Sequence, residues 1–91
     1  MKYTIKYTSQ FKKDYKKAEK QHRDLALLQK VVGLLANGEQ LPDQYRDHAL
    51  SGNYRGKREC HIAPDWLLIY EIVDGDLILL LVRTGTHSEL F

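Results

Sequence analysis

The sequence is poor in features that would cross-link the chain, anchor it or bind a cofactor. It holds a single cysteine, Cys60, so no disulfide forms within the chain. It has no apolar run of about 18 residues and no apolar N-terminal stretch typical of a signal peptide, so we expect neither a membrane span nor export. It has no glycine-rich phosphate loop and no paired-cysteine motif, so we expect no cofactor. The 91 residues are therefore predicted to form one small cytoplasmic domain over residues 1–91.

Positive charge is concentrated at the N-terminal end of the chain. The formal net charge is only +2, but residues 1–23 alone sum to +6 and residues 24–91 to −4. A basic face of this kind indicates an anionic partner, although lysines also serve simply to keep a surface helix soluble. Both interpretations are open for the five lysines of the first predicted helix, which are Lys12, Lys13, Lys16, Lys17 and Lys20.

The hydrophobic pattern changes its period along the chain. Residues 2–7 alternate between apolar and polar side chains, which predicts a half-buried strand. Two helical stretches follow, the first with Thr8 or Ser9 as its N-cap and the second running from Asp24 to Gly38. After a loop, the remaining pattern predicts three strands, at 58–63, 66–73 and 76–83. The predicted fold is α+β with the order β-α-α-β-β-β, in which two N-terminal helices pack on an antiparallel sheet.

The turn between the last two strands allows side chains to be placed relative to one another. Asp74-Gly75 is typical of a two-residue hairpin turn, and that register sets Trp66 opposite Arg83 on one face. A tight turn at Pro64-Asp65 would bring His61 to the same face. A longer connection there would change the register, because Pro-Asp favours a type I turn that fits a tight hairpin poorly.

The C-terminal half carries residues that suit the cleavage of a phosphodiester. Histidine transfers protons near neutral pH, arginine binds a phosphate through two parallel hydrogen bonds, and exposed aromatic rings stack on bases. A ribonuclease needs no metal if a base activates the 2′-hydroxyl, a cation stabilises the phosphorane and an acid protonates the 5′-oxygen. The candidates are His48, His61, Asp65, Arg83 and His87 for the chemistry, and Trp66 and Phe91 for contacts with the substrate.

Each of these residues also has a purely structural explanation. A lone histidine is more often structural than catalytic, a tryptophan commonly packs in a core, and Asp65 follows a proline in a turn. Three histidines and an aspartate are potential zinc ligands as well. No tight ligand spacing is present, and the adjacent Cys60 and His61 point to opposite faces of a strand, so we expect no metal site.

Several segments resemble the YafQ branch of the RelE/ParE toxin superfamily. They are FKKDY at 11–15, HALSG at 48–52, RECHIAPDWLLIY at 58–70 and THSELF at 86–91. The resemblance covers essentially the whole chain, and the long central segment and the C-terminal HSELF are its most specific parts. It implies a RelE-like, microbial-RNase-like fold and a toxin that cleaves mRNA in the ribosomal A site without a metal.

The family's site is built from residues that match all seven candidates. In our hypothesis Asp65, helped by His48 and His61, acts as general base, and His87 acts as general acid. Arg83 stabilises the charged phosphate, and the two aromatic residues stack on or confine the nucleotides.

The resemblance also implies partners. Family members are paired with a ribbon-helix-helix antitoxin encoded beside them, and the toxin binds operator DNA only as part of the antitoxin complex. The ribosome and mRNA would be the other partners, and the free toxin would be a monomer. The basic N-terminal segment would then contact phosphates of ribosomal RNA, which would make ribosome binding sensitive to salt.

Two other functions compete with the ribonuclease. The chain could instead be a ParE-like toxin that inhibits DNA gyrase without nuclease activity, since such proteins share the architecture. It could also be a structural or operator-binding protein that works only with its antitoxin, which the basic face would allow. A histidine-rich cleft is not needed in either case, and this cleft is the feature that favours the enzyme.

Overall fold

A five-stranded sheet lies at the centre of the structure, a computed structural model that describes all 91 residues. Its strands are β1 (Thr4–Tyr7), β2 (His48–Ala49), β3 (Arg58–Ala63), β4 (Trp66–Val73) and β5 (Ile78–Gly85). They are ordered β1-β5-β4-β3-β2, with β1 parallel to β5 and the other pairs antiparallel. The helices are α1 (Ser9–Lys20), α2 (Leu25–Ala36) and α3 (His87–Leu90). The predicted α+β fold is confirmed, and β2 and α3 are short additions to the predicted order.

Both long helices begin at side chains that cap them. Thr8 accepts a hydrogen bond from the backbone N–H of Phe11 at 2.9 Å, and Asp24 accepts one from the N–H of Ala26 at 3.1 Å. Each cap thus satisfies a donor that the first turn of a helix leaves free, and Thr8 is one of the two caps predicted. Gly38 follows α2 with a φ of 77°, a left-handed conformation that glycine adopts without strain. None of the helices combines the length and apolar character required to cross a membrane.

The two faces of the sheet are covered differently. Side chains alternate along a strand, so Trp66, Leu68 and Tyr70 point toward the helical layer and join the main core. Leu67 and Ile69 point to the opposite face, where residues of β5 and α3 complete a smaller apolar cluster. Because both faces of β4 are covered, every residue from 66 to 70 is buried.

The register between β4 and β5 differs from the prediction. The connection is a 3-10 turn at Asp74–Asp76 followed by Leu77 in a left-handed conformation, so Val73 pairs with Ile78. A bulge farther along shifts the register again, and Ile69 rather than Trp66 lies opposite Arg83. The prediction that Trp66 and Arg83 are neighbours is therefore wrong, because two extra turn residues and one bulged residue separate them.

A second irregularity changes the position of His61. Ala63 pairs with Trp66, as a tight turn at Pro64-Asp65 requires, but the register shifts between His61 and Ala63. His61 consequently pairs with Leu67 and lies on the face opposite to Trp66, contrary to the prediction. The bulge therefore moves the histidine out of the main core and onto the less covered face.

The outer edge of β5 needs partners beyond the end of β1. The parallel pairing stops at Tyr7 and Leu81, so the last residues of β5 have no neighbouring strand on that side. The buried carboxylate of Asp14 in α1 accepts hydrogen bonds there from the backbone N–H of Thr84 at 3.2 Å and from Nε and Nη2 of Arg83, both at 3.0 Å. One side chain thus satisfies the free edge of the strand and attaches α1 to it.

We predict that Asp14→Ala destabilises the fold by roughly 2–4 kcal/mol, because it removes the carboxylate acceptor of a partly buried guanidinium and of a buried N–H. Urea denaturation followed by circular dichroism measures the change in the free energy of unfolding. The matched control is Asp43→Ala at an exposed turn position, which should stay within about 0.5 kcal/mol of the wild type. An Asp14→Ala protein as stable as this control would contradict the structural role of the carboxylate.

Candidate functional site

Two histidines from different elements meet on the face of the sheet opposite to α1 and α2. His61 belongs to β3 and His87 begins α3, and their ring centroids are 5.8 Å apart in an edge-to-face arrangement. Phe91 at the C-terminal end of α3 lies beside His87, with ring centroids 6.1 Å apart, and remains 61% exposed. The site therefore places two side chains that can transfer protons next to an exposed aromatic ring.

Asp65 lies beside His87 rather than beside the other histidines. Its Oδ1 is 3.7 Å from Nδ1 of His87 and 3.5 Å from the backbone N–H of the same residue. Both side chains are more than half exposed, and these distances are longer than those of strong hydrogen bonds. The carboxylate therefore lies next to the imidazole in a solvent-accessible position, without a hydrogen bond to its Nδ1.

A buried carboxylate that the sequence analysis did not single out connects the other two histidines. Glu59 is only 3% exposed, and its Oε1 lies 3.4 Å from Nε2 of His48 and 3.8 Å from Nε2 of His61. Nδ1 of His48 is 2.8 Å from the carbonyl oxygen of Arg46. Because a carbonyl only accepts, Nδ1 carries a proton and Nε2 faces Glu59. The alternation of β3, which puts residues 59 and 61 on one face, was the available signal for this contact.

Arg83 reaches the edge of the site but is held by another residue. Its bidentate contact with Asp14 is the main reason why the pKa of Arg83 is raised, and the neighbouring Tyr54 adds to the shift. Tyr54, which the sequence analysis also missed, packs edge-on against Phe91 at 5.3 Å and donates a hydrogen bond to the carbonyl of Leu90 at 2.9 Å. Arg83 is thus a fixed charge at the margin of the site.

Trp66 does not lie in this site. Its side chain belongs to the main core and is 2% exposed, and its indole N–H has no acceptor. The guanidinium of Arg23 lies over the ring at 5.3 Å from the centroid. The expectation that Trp66 stacks on a nucleotide is therefore wrong for this structure, because the pleat of β4 turns the residue toward the helices.

The lysines of α1 are all exposed but face different surroundings. Lys13 and Lys17 border a polar cleft that Arg23 and Arg83 also line. Lys12 and Lys16 border an apolar groove formed by side chains of β1, α1 and α2. Lys17 differs from the others because it forms an ion pair with Glu89 of α3. The basic face is therefore divided between two surfaces.

Cys60 takes no part in the site. It is fully buried in the main core, on the face opposite to His61 as predicted. Burial raises the pKa of its thiol to about 12, so the thiolate is not formed at neutral pH and the residue is not a nucleophile.

Glu59, His61 and His87 could together hold a metal ion. Each offers one donor atom, and the three donor atoms lie within 4.8 Å of one another. Two imidazole nitrogens and one carboxylate oxygen are ligands that suit zinc and copper. The set differs from the three histidines and aspartate considered from the sequence, since Glu59 replaces both Asp65 and His48.

Comparison with known proteins gives consistent relatives. Residues 3–91 match a family described as "Bacterial toxin of type II toxin-antitoxin system, YafQ". The chain is 44% identical to mRNA interferase toxin YafQ of Escherichia coli K12 over 88 residues, which cover 96% of this chain and 94% of that protein.

Solved structures agree with the sequence match. The chain is similar to the toxin in the crystal structure of the E. coli DinJ-YafQ complex, with a TM-score of 0.89, 43% identity and 98% of each chain covered. It is also similar to a metal-bound toxin from Helicobacter pylori, with a TM-score of 0.92, 48% identity, and 98% of this chain and 99% of that one covered. On the fold, the site and these matches, the chain belongs to the YafQ family of type II toxin-antitoxin toxins.

Proposed function

We propose that this chain is an mRNA interferase, a ribosome-dependent endoribonuclease that cleaves mRNA in the A site by acid-base catalysis without a metal. The observation that carries the proposal is the meeting of His61 and His87 at 5.8 Å beside the exposed ring of Phe91. Imidazole accepts or donates a proton near neutral pH, so one of the two rings can act as base while the other acts as acid. The E. coli relative, described as an mRNA interferase toxin, supports the same reaction class.

In the proposed reaction the 2′-hydroxyl of the nucleotide attacks the adjacent phosphorus. The general base takes the proton of the hydroxyl, the bond between phosphorus and the 5′-oxygen breaks, and the general acid protonates that oxygen. The products are a 2′,3′-cyclic phosphate and a free 5′-hydroxyl. We assign His87 as the acid, since it lies at the exposed end of the site next to Phe91.

We assign the general base to the cluster formed by His48, Glu59 and His61. The sequence-based hypothesis makes Asp65 the base, but its position next to His87 supports a role in orienting the acid. His48 and His61, joined by Glu59, are better placed to receive the proton of the hydroxyl. A buried carboxylate beside an imidazole stabilises the imidazolium that forms when the proton arrives, as in other histidine bases.

The remaining residues bind rather than transfer protons. Arg83 contributes a fixed positive charge near the phosphate, because Asp14 holds its Nε and Nη2 in place. Phe91 stacks on a base of the substrate. Lys12, Lys13, Lys16 and Lys20 contact phosphates of ribosomal RNA, and binding through several phosphates weakens as salt is raised.

We further propose that a ribbon-helix-helix antitoxin neutralises this chain. The structural relative from E. coli is a complex of YafQ with DinJ, which supports an antitoxin partner of the same general kind. Operator DNA would be bound only by the toxin-antitoxin complex, and the free toxin would be a monomer in the cytoplasm.

The first experiment tests the reaction and the acid together. Primer extension on a defined mRNA with programmed ribosomes, in Mg²⁺ that keeps the ribosome assembled and with a chelator selective for transition metals, should give discrete A-site cuts with the wild type. We expect His87→Ala to slow cleavage by about 10²–10⁴, the usual contribution of a general acid. The control is His22→Asn, which changes an exposed histidine with a φ of 58° outside the site and should cleave normally.

Other outcomes would contradict this proposal. Cleavage by His87→Ala at the wild-type rate would remove His87 from the reaction. An absence of cuts by folded wild-type protein would rule out the ribosome-dependent nuclease, and inhibition of gyrase by the same preparation would identify the ParE-like alternative.

We expect Phe91→Ala to weaken cleavage roughly 5- to 150-fold, because stacking on one base contributes about 1–3 kcal/mol. Substitution is preferable to truncation, since the backbone N–H of Phe91 bonds to the carbonyl of His87. Phe91→Tyr should retain most of the activity, and Tyr7→Ala, which removes an exposed aromatic ring on the β1 side, is the matched control. Initial rates over a range of ribosome concentrations measure the effect, and full activity of Phe91→Ala would leave the ring without a substrate-binding role.

The metal-bound relative from H. pylori motivates a separate prediction. We expect Zn²⁺ or Cu²⁺ to inhibit cleavage, because binding to Glu59, His61 and His87 would occupy the nitrogens that must exchange protons. EDTA added in slight excess over the inhibiting metal, and well below the Mg²⁺ that the ribosome needs, should restore the rate. Isothermal titration calorimetry should show that Glu59→Gln weakens zinc binding on the order of 10-fold or more, whereas Asp76→Asn, at an exposed position in the turn between β4 and β5, binds as the wild type. Activation by either metal would contradict the metal-independent mechanism.

A further inference from the structure

The C-terminal helix α3 is too short to be stable by itself. It has four residues, and an isolated helix of that length does not form in water. A capping box supports it, in which Thr86 accepts from the N–H of Glu89 at 3.3 Å and Glu89 Oε1 accepts from the N–H of Thr86 at 2.8 Å. Local capping is worth only about 1 kcal/mol, so contacts with the rest of the protein must hold α3 in place.

Besides the contacts of His87 and Phe91 described above, three tertiary contacts attach α3 to the body of the protein. Leu90 is buried in the apolar cluster on the second face of the sheet. Tyr54 donates its hydroxyl proton to the carbonyl oxygen of Leu90. Lys17 of α1 forms an ion pair with Oε2 of Glu89, the oxygen that the capping box does not use. Only this third contact connects α3 to a helix on the other side of the sheet edge.

The backbone before α3 is shaped to allow this contact. Gly85 ends β5, and a Cβ at that position would lie 3.0 Å from Oε1 and 3.4 Å from Cβ of Glu89. The glutamate side chain therefore passes directly over Gly85 on its way to Lys17. Any larger residue at position 85 would displace it.

We propose that the ion pair between Lys17 and Glu89 is a positioning device that sets the rotation of α3 and thereby aims His87 at His61. His87 and Glu89 are two residues apart on one turn and point in different directions, so a constraint on Glu89 fixes the direction of His87. This assignment makes Lys17 a positioning residue, unlike the neighbouring lysines of α1 that we assign to RNA. The effect of this ion pair on cleavage rests on the role proposed for His87, whereas its effect on the direction of the His87 ring does not.

The pair is charged under ordinary conditions. The hydrogen bond from Lys17, followed by the backbone N–H of Thr86, lowers the pKa of Glu89 to about 2. Since the folded-state pKa lies below the unfolded one, the stabilisation is fully present above about pH 4.5 and is lost as the pH falls toward 2. Lys17 is 58% exposed, so salt partly screens the contact. The ion pair therefore contributes little to the free energy of unfolding, and its main effect is on the orientation of α3.

The first test does not depend on catalysis. In NMR spectra of the free protein, we expect nuclear Overhauser contacts between the ring protons of His61 and His87 in the wild type. Lys17→Met keeps the apolar stem and removes the charge, and Glu89→Gln keeps the capping acceptor and removes the charge. Both should weaken these contacts, and Lys17→Arg should retain them. Unchanged contacts in both charge-removing variants, with the fold intact, would overturn the proposal even if the chain proves not to be a nuclease.

The second test uses cleavage on programmed ribosomes. We expect Lys17→Met, Glu89→Gln and the double variant each to lower kcat by a similar factor of roughly 10 with little change in KM, because a misplaced acid costs up to about 10² and the pair acts as a unit. Lys13→Met, one turn earlier in α1, should instead raise KM and reduce its dependence on salt. Additive effects of the two single substitutions would show that the residues act separately and would overturn the positioning role. A rise in KM for Lys17→Met with no effect of Glu89→Gln would make Lys17 an RNA contact and would overturn it as well.

Discussion

The free outer edge of β5 is the constraint on which the arrangement of the site depends. The parallel pairing with β1 ends at Leu81, and a strand edge inside a folded protein needs partners for its backbone groups. Helix α1 provides them, since Thr8 hydrogen-bonds the carbonyl of Val82 and Asp14 accepts from Thr84. The same strand leads through Gly85 into α3, so fixing α1 on β5 also fixes the part of the chain from which the site is built.

This constraint also fixes the position of Arg83. The bulge opposite Ile69 and Tyr70 sets Arg83 on the less covered face of the sheet, while its guanidinium reaches the carboxylate of Asp14. The bidentate contact fixes the direction in which the guanidinium points. The contact that attaches α1 to the edge of β5 therefore also preorganises the charge that we propose for binding a phosphate.

The sequence predicts the helices and strands, which depend on local pattern. It does not predict the strand register, which depends on extra turn residues and bulges. Periodicity and the cap at Thr8 locate both long helices, and alternation locates the long strands, because these signals arise within a few residues. The partner of Arg83 depends on the length of the turn after Val73 and on a bulge, and the pattern contains neither. A register shift of one residue moves a side chain to the other face of the sheet, which is why Trp66 and His61 lie on opposite faces.

Residue chemistry and the family resemblance predict the candidate site residues. They do not predict residues such as Glu59 and Lys17, whose proposed roles depend on contacts with other side chains. Glu59 on a strand reads as an ordinary surface charge, and only the fold shows that it is buried between two imidazoles. Lys17 reads as one lysine in a basic run, since its partner Glu89 is 72 positions away in the sequence. Pairings across such distances depend on the register of β5 and the direction of α3, which no local signal specifies.

The burial of Glu59 connects the proton transfer that we propose with metal binding. A buried carboxylate is tolerated when hydrogen-bonding or cationic groups lie beside it, and the groups beside Glu59 are imidazoles that could also hold a metal ion. Proton transfer and metal binding would both use the ring nitrogens of the histidines that approach Glu59, so one excludes the other. Under the proposed mechanism the atoms that exchange protons are therefore also potential metal ligands, and a bound metal would oppose the reaction.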